Sequence, residues 1–149
     1  EEDVPKVVAI ATDSKATVEI TPPAGVPGYA EIKVTGRYGS VKNYTLKFVY
    51  ISASNSMMTI EPSDSVPVNT YATVTITLKD KVGNPITGLY GFSISYTNSS
   101  TFYWEHVTET LTSGVYTFKV RNSAAENITI RMNVGSVSLN DVTLKTVIP

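Results

Sequence analysis

His106 is the only histidine in the chain, and it follows Glu105 and precedes Glu109. An imidazole beside carboxylates is raw material for general acid–base chemistry. The pattern goes no further. A lone histidine cannot assemble a multi-histidine zinc site. Cysteine is absent, which removes disulfides, thiolate metal sites and thiol nucleophiles. Glu105 and Glu109 would align on a helix but not on the strand their neighbours predict. Serines abound, yet no Gly-x-Ser-x-Gly elbow presents one as a nucleophile. Nor is there a Walker-type loop or a Gly-x-Gly-x-x-Gly before a helix. The expectation is a non-catalytic protein with no catalytic residue, cofactor or metal.

Calcium is the softer case, because hard cations need several converging oxygens. Asp13, Glu61, Asp64, Asp80 and Asp141 are scattered near predicted strand ends, with no Asp-x-Asp-x-Asp-Gly loop among them. They read as solvated loop carboxylates. The aromatic run Phe102-Tyr103-Trp104 is the best candidate for ligand contact. Flat rings on a sheet can stack on sugars, and Trp and Tyr are enriched at interfaces. On a strand, Phe102 and Trp104 share one face and Tyr103 takes the other. The structural alternative puts Phe102 and Trp104 in an inter-sheet core, with Tyr103 facing solvent near Tyr90 and Tyr96. Sequons at Asn43, Asn98 and Asn127 are what a Ser/Thr-rich chain produces by chance.

The elements that would hold these residues are strands. The chain has 149 residues, of which 42% are hydrophobic and only 17% charged. Thr, Ser and Val fill the gap, and β-branched residues suit a pleated surface. A formal net charge of −1 gives no bulk drive toward nucleic acid or anionic membrane. No apolar run approaches the length of a membrane span. The opening Glu1-Glu2-Asp3-Val4-Pro5 reads as a piece excised from something longer.

Apolar residues alternate with polar ones throughout, and Gly, Pro, Asn and Ser punctuate them. The pattern predicts strands near 5–11, 16–21, 29–36, 42–51, 56–61, 70–79, 89–97, 101–110, 114–121, 126–134 and 141–148. The clearest is the run in which Ala72, Val74, Ile76 and Leu78 alternate with Thr73, Thr75, Thr77 and Lys79. Asp80 to Pro85 then supply turn chemistry, and Gly83-Asn84-Pro85 reads as a structural corner. Runs 29–36 and 42–51 flank Gly36-Arg37-Tyr38-Gly39-Ser40 and predict a hairpin. The small polar stretch Ile51 to Ser56 predicts a linker. It divides a first module, 1–55, from a second, 56–149. The first is a minimal sandwich, a truncated module, or a half that packs on its neighbour.

Two resemblances follow from these residues. Val7 to Ile20, Gly25-Val26-Pro27-Gly28, Ala30 to Thr35 and Asn43 to Phe48 resemble the C-terminal part of cadherin-like or immunoglobulin-like modules. Such modules are appended to bacterial extracellular glycoside hydrolases and surface proteins. The hairpin tip Gly36 to Ser40 departs from the acidic, Gly-containing turn usual there. Val74 to Asp80, Gly83 to Gly88 and Ser113 to Val120 resemble bacterial immunoglobulin-like repeats of the intimin/invasin kind. Those repeats have a plainer segment where this chain has Thr101 to His106. The second resemblance implies a stalk or spacer module, sometimes adhesive, and carries over no catalytic residue.

The sequence therefore predicts an all-β chain of immunoglobulin-like β-sandwich modules in tandem, outside the cell. Its partners would be neighbouring modules and a polysaccharide or host-surface ligand, not nucleic acid. The rival functions are a carbohydrate-binding module using Phe102, Tyr103 or Trp104, and a module of a phage virion.

Overall fold

The computed structural model describes residues 4–97 and 99–149; the sequon at Asn98 lies outside them. Every regular element among the described residues is a strand. The chain divides into two compact units, Glu1–Tyr50 and Ile51–Pro149.

The first unit is a single antiparallel sheet of β1 (Thr17–Thr21), β2 (Gly28–Thr35) and β3 (Val41–Phe48), in that order. The predicted hairpin forms, with every residue from Gly28 to Thr35 paired to one from Phe48 back to Val41. Its tip closes through Gly36 N–H to Ser40 O at 2.8 Å, and Gly39 takes a left-handed φ of 83°. Register places Val18, Ile20, Ala30, Ile32, Val34, Tyr44 and Leu46 on one face. Ala30 and Ile32 alone of these are buried. The strand expected over 5–11 does not form. Its alternation survives, with Val7, Ala9 and Ala11 half-buried and Val8 and Ile10 exposed. Ala9 to Asp13 instead border a groove over Ile32, Val34, Tyr44 and Leu46. Within this unit, among the described residues, the strands form one three-stranded sheet with no second sheet over this face.

The second unit is the sandwich. One sheet has the order β4 (Met57–Glu61), β6 (Ala72–Thr77), β10 (Val115–Asn122) and β8 (Phe102–Trp104), with β9 (Thr108–Glu109) also on β10. The other is built on β11 (Asn127–Val134), flanked by β7 (Phe92–Tyr96) and by β13 (Val142–Val147). The short β12 (Val137–Ser138) pairs with β11, and β5 (Val66–Pro67) runs parallel to β13. Alternation dictates what is buried. Val74, Ile76, Phe118, Val120, Ile130, Met132 and Leu144 all point inward and are inaccessible or nearly so. Each such side chain contributes about 1.5–3 kcal/mol of transfer free energy.

Two local expectations change here. The predicted linker is not one: Ser52 and Ser56 are buried and belong to the sandwich. Ser52 N–H donates to Lys79 O at 2.9 Å, and Ser56 Oγ accepts from Lys79 N–H at 2.9 Å. Small hydroxyl residues are cheap to bury when they supply backbone partners, which is why a linker-like composition became a clasp. The run 101–110 splits into β8 and β9, because residues 106–107 leave the ladder while Glu105 N–H still donates to Lys119 O at 2.9 Å.

Candidate ligand-binding cleft

The gap between β8 and β9 opens one long side of the sandwich. β8 and β9 edge one sheet there and β7 edges the other. Trp104 pairs with the inward-facing Val120, and Phe102 with the inward-facing Asn122. Both rings therefore start on the core side. Phe102 is half-buried, with its ring 4.5 Å from that of Tyr96, which is itself 38% exposed. Trp104 remains 37% exposed, and Tyr90, Gly91 and Phe92 at the opposite edge line the same cleft. Neither ring is among the buried core residues expected of both: Phe102 is half-buried and Trp104 exposed.

Tyr103 lies on the outer face, opposite Arg121. The Arg121 guanidinium sits 5.2 Å from the Tyr103 ring and 5.4 Å from that of Tyr71. The two tyrosines meet edge-on at 6.4 Å. Tyr103 does face solvent, at 46% exposure, but its neighbours there are Tyr71 and Arg121, not Tyr90 and Tyr96. The structure separates the Phe102-Tyr103-Trp104 run into three environments.

Trp104 lines a cleft of about 440 Å³. Phe92 and Tyr116 form its floor, their rings 5.0 Å apart. Tyr90 stands on the opposite lip and is almost wholly exposed. His106 meets the Trp104 indole at 82° with 6.3 Å between rings, making a corner. Glu109 closes the end, and its Oε2 accepts the Gly88 N–H at 2.9 Å. The Tyr116 hydroxyl is already spent: it donates to Ile86 O at 3.0 Å and accepts from Leu89 N–H at 3.2 Å. Burial pushes its ionisation above the ordinary phenol range, and the Glu109 charge adds to that. Tyr116 is therefore a wall, while Trp104, His106 and Glu109 remain accessible to a ligand. Sequence reading singled out all three but gave them different roles. Tyr90 was expected only beside Tyr103, and Phe92 and Tyr116 were missed, because nothing local brings 90–92 beside 104–109.

A polar cluster at one end of the sandwich was also missed. Asn122 is fully buried. Its Nδ2 donates to Glu126 Oε1 at 2.8 Å and Ala124 O at 3.0 Å, and its Oδ1 accepts from Thr101 Oγ1 at 2.6 Å. Ser99 Oγ reaches the same Glu126 oxygen at 2.7 Å. These donors, Ser99 foremost and then Asn122, hold the Glu126 carboxyl below its usual range. The cluster joins the ends of strands and has no open side toward the cleft residues.

Three of the five scattered carboxylates have structural partners. Asp80 caps its own turn, accepting from Val82 N–H, Asn84 N–H and Asn84 Nδ2 at 2.8–3.0 Å. Those bonds, led by the Asn84 side chain, lower its pKa. Asp141 pairs with Arg131 at 3.1 Å, and Asp13 accepts from Lys15 N–H at 2.9 Å. No three His, Asp or Glu side chains converge among the described residues.

No protein-family model matches the chain, and no curated protein sequence matches it. Solved structures do. Invasin, a bacterial integrin-binding protein, superposes with a TM-score of 0.59 at 19% identity over 83% of this chain. The chain carries the immunoglobulin-like β-sandwich fold of bacterial adhesin modules. The Escherichia coli adhesin FdeC matches with a TM-score of 0.59 at 19% identity over 91% of the chain. InvD of Yersinia pseudotuberculosis gives 0.59 and 18% over 91%. The chain spans 25% of the invasin chain, 54% of FdeC and 45% of InvD. In this immunoglobulin-like sandwich the cleft lies level with the start of β4, since Glu109, Tyr116, Ile76 and Met58 share one register across the sheet.

Proposed function

We propose that the chain is a non-catalytic structural and adhesion module, a spacer or stalk segment of a bacterial surface or secreted multimodular protein. It would comprise a first β module, Glu1–Tyr50, and an immunoglobulin-like sandwich, Ile51–Pro149. The fold likeness to adhesins supports the setting. One observation carries the mechanical reading. Asn140, just before β13, accepts from Met58 N–H at 2.7 Å and donates to Met58 O at 2.8 Å at the start of β4. β5 then pairs in parallel with the far end of β13, and Val68 N–H donates to Val147 O at 2.9 Å. The chain thus enters the sandwich at one end and leaves at the other. Tension between those ends loads β5 against β13 in shear, so their hydrogen bonds resist together instead of opening one by one.

Pulling single molecules of the full chain between its termini tests this. The expectation is a distinct force peak for the sandwich, lowered in Val66→Pro, which disturbs the parallel pairing. Extension without a peak would remove the stalk role. Enzymatic turnover of any substrate lost in His106→Ala would remove the non-catalytic one.

A further inference from the structure

The side cleft has the composition of a ligand site and no structural duty that explains it. A sandwich gains by covering an exposed indole, since Trp is among the largest sources of burial free energy. Here the covering residues are withheld on both sides. Glu105 N–H still donates to Lys119 O at 2.9 Å, so only residues 106–107 leave the ladder on one edge, and on the other Gly91 turns the chain at a φ of 83° just before β7 begins. The resulting space, about 440 Å³, falls within the range of small-ligand pockets.

Its lining selects a ligand class. Trp104 offers a flat apolar face, and Tyr90 offers a second across the opening. His106 and Glu109 supply directional polar atoms beside them. Glu109 spends one acceptor position on Gly88, and a carboxylate has about four. No Lys or Arg lines the cleft, so nothing there compensates an anionic ligand. Aromatic planes edged by a carboxylate and an imidazole suit a molecule with apolar C–H faces and equatorial hydroxyls. A cage for a quaternary ammonium needs rings converging on one point. Phe92 and Tyr116 instead pack on each other as a floor.

We propose that this cleft is a saccharide-binding site for one or two rings of a neutral glycan, with Trp104 as the stacking platform and Glu109 and His106 as hydroxyl-binding groups. It gives the adhesion reading a ligand class, and so rests on it for biological meaning, though the binding itself is measured independently. The outer-face pair Tyr71 and Tyr103 takes no part, since Arg121 lies over both rings.

Trp104 is the only tryptophan, so its emission reports the site directly. The full chain is titrated with cellohexaose, chitohexaose, a β-1,4-galactan ladder and N-acetyllactosamine oligomers, and heats are measured in parallel. The expected result is saturable, matched fluorescence and calorimetric binding for at least one of these neutral glycans. Trp104→Ala should weaken it by about tenfold or more, and Glu109→Gln several-fold, while Tyr103→Ala leaves it unchanged. If Trp104→Ala fails to fold, Trp104→Phe together with Tyr90→Ala carries the test, each weakening binding with the fold retained by circular dichroism. Silence across all four probes, binding that survives Trp104→Ala, or binding of choline alone would overturn the proposal. Any of these could occur with the force peak intact, so failure of the glycan site and failure of the stalk role are distinguishable.

Discussion

Leu46 in β3 and Ile130 in β11 hold the same position in a strand: apolar, on the face that register turns toward other apolar residues. Leu46 is 43% exposed and Ile130 is inaccessible. The difference lies not in the strands but in what faces them. β11 looks across to a second sheet, while within the first unit, among the described residues, the face carrying Leu46 has the run of 9–13 beside it and no second sheet. Alternation makes a strand amphipathic; a second layer is what turns an amphipathic strand into a core.

The sharpest way to break that comparison is by truncation. Ile130→Ala should destabilise the sandwich by about 2–5 kcal/mol, read as a shifted urea midpoint of Trp104 emission. Leu46→Ala should cost well under about 1.5 kcal/mol, read as amide exchange in β2 and β3. Equal costs would mean that the first sheet is covered as tightly as the second unit.

Next in size is Asn122→Ala. It deprives Glu126, Thr101 and Ala124 of partners in a buried site, and about 1–3 kcal/mol should be lost. The first unit buries no comparable polar side chain among its described residues. An unchanged urea midpoint would show that the cluster is not holding the strand ends together.

Two glycines with left-handed φ make a closer pair. At Gly39 an added Cβ meets nothing within 4 Å, so Gly39→Ala should cost about 1 kcal/mol of backbone strain alone. At Gly114, with φ of 73°, a Cβ would stand 2.8 Å from Pro85 Cβ and 2.9 Å from Leu78 O. Gly114→Ala should therefore exceed Gly39→Ala by at least about 1 kcal/mol in melting experiments, because packing adds to strain.

The smallest effects are those of pH. Glu126 is held below its usual range, so its contribution is full above the unfolded-state value and is lost as pH falls through the lowered folded one. Tyr116 is raised, so its contribution is full below the unfolded phenol value and is lost as pH rises through the folded one. Glu126→Gln should flatten the acid limb of the stability profile and Tyr116→Phe the alkaline limb. A profile unchanged by both would place the titrating groups elsewhere.

The period-two pattern made the all-β class and most strands legible, β6 above all, because strand faces are set by residues two apart. The corner at Asp80 to Pro85 was legible for the same reason: its hydrogen bonds run between residues two to four apart. The sequence also marked 102–104 as aromatic and exposed to question.

What it could not determine was how residues distant in the chain meet. Whether 5–11 is a strand depends on finding an edge to pair with, and it finds none. Whether Ser52 to Ser56 is a linker depends on Lys79, which reaches it from more than twenty residues away. Whether Trp104 is core or cleft depends on where β7 begins in the opposite sheet. Local composition determines which way a side chain points from its own strand. Only tertiary structure decides whether anything stands there to meet it, because that second surface comes from a different part of the chain.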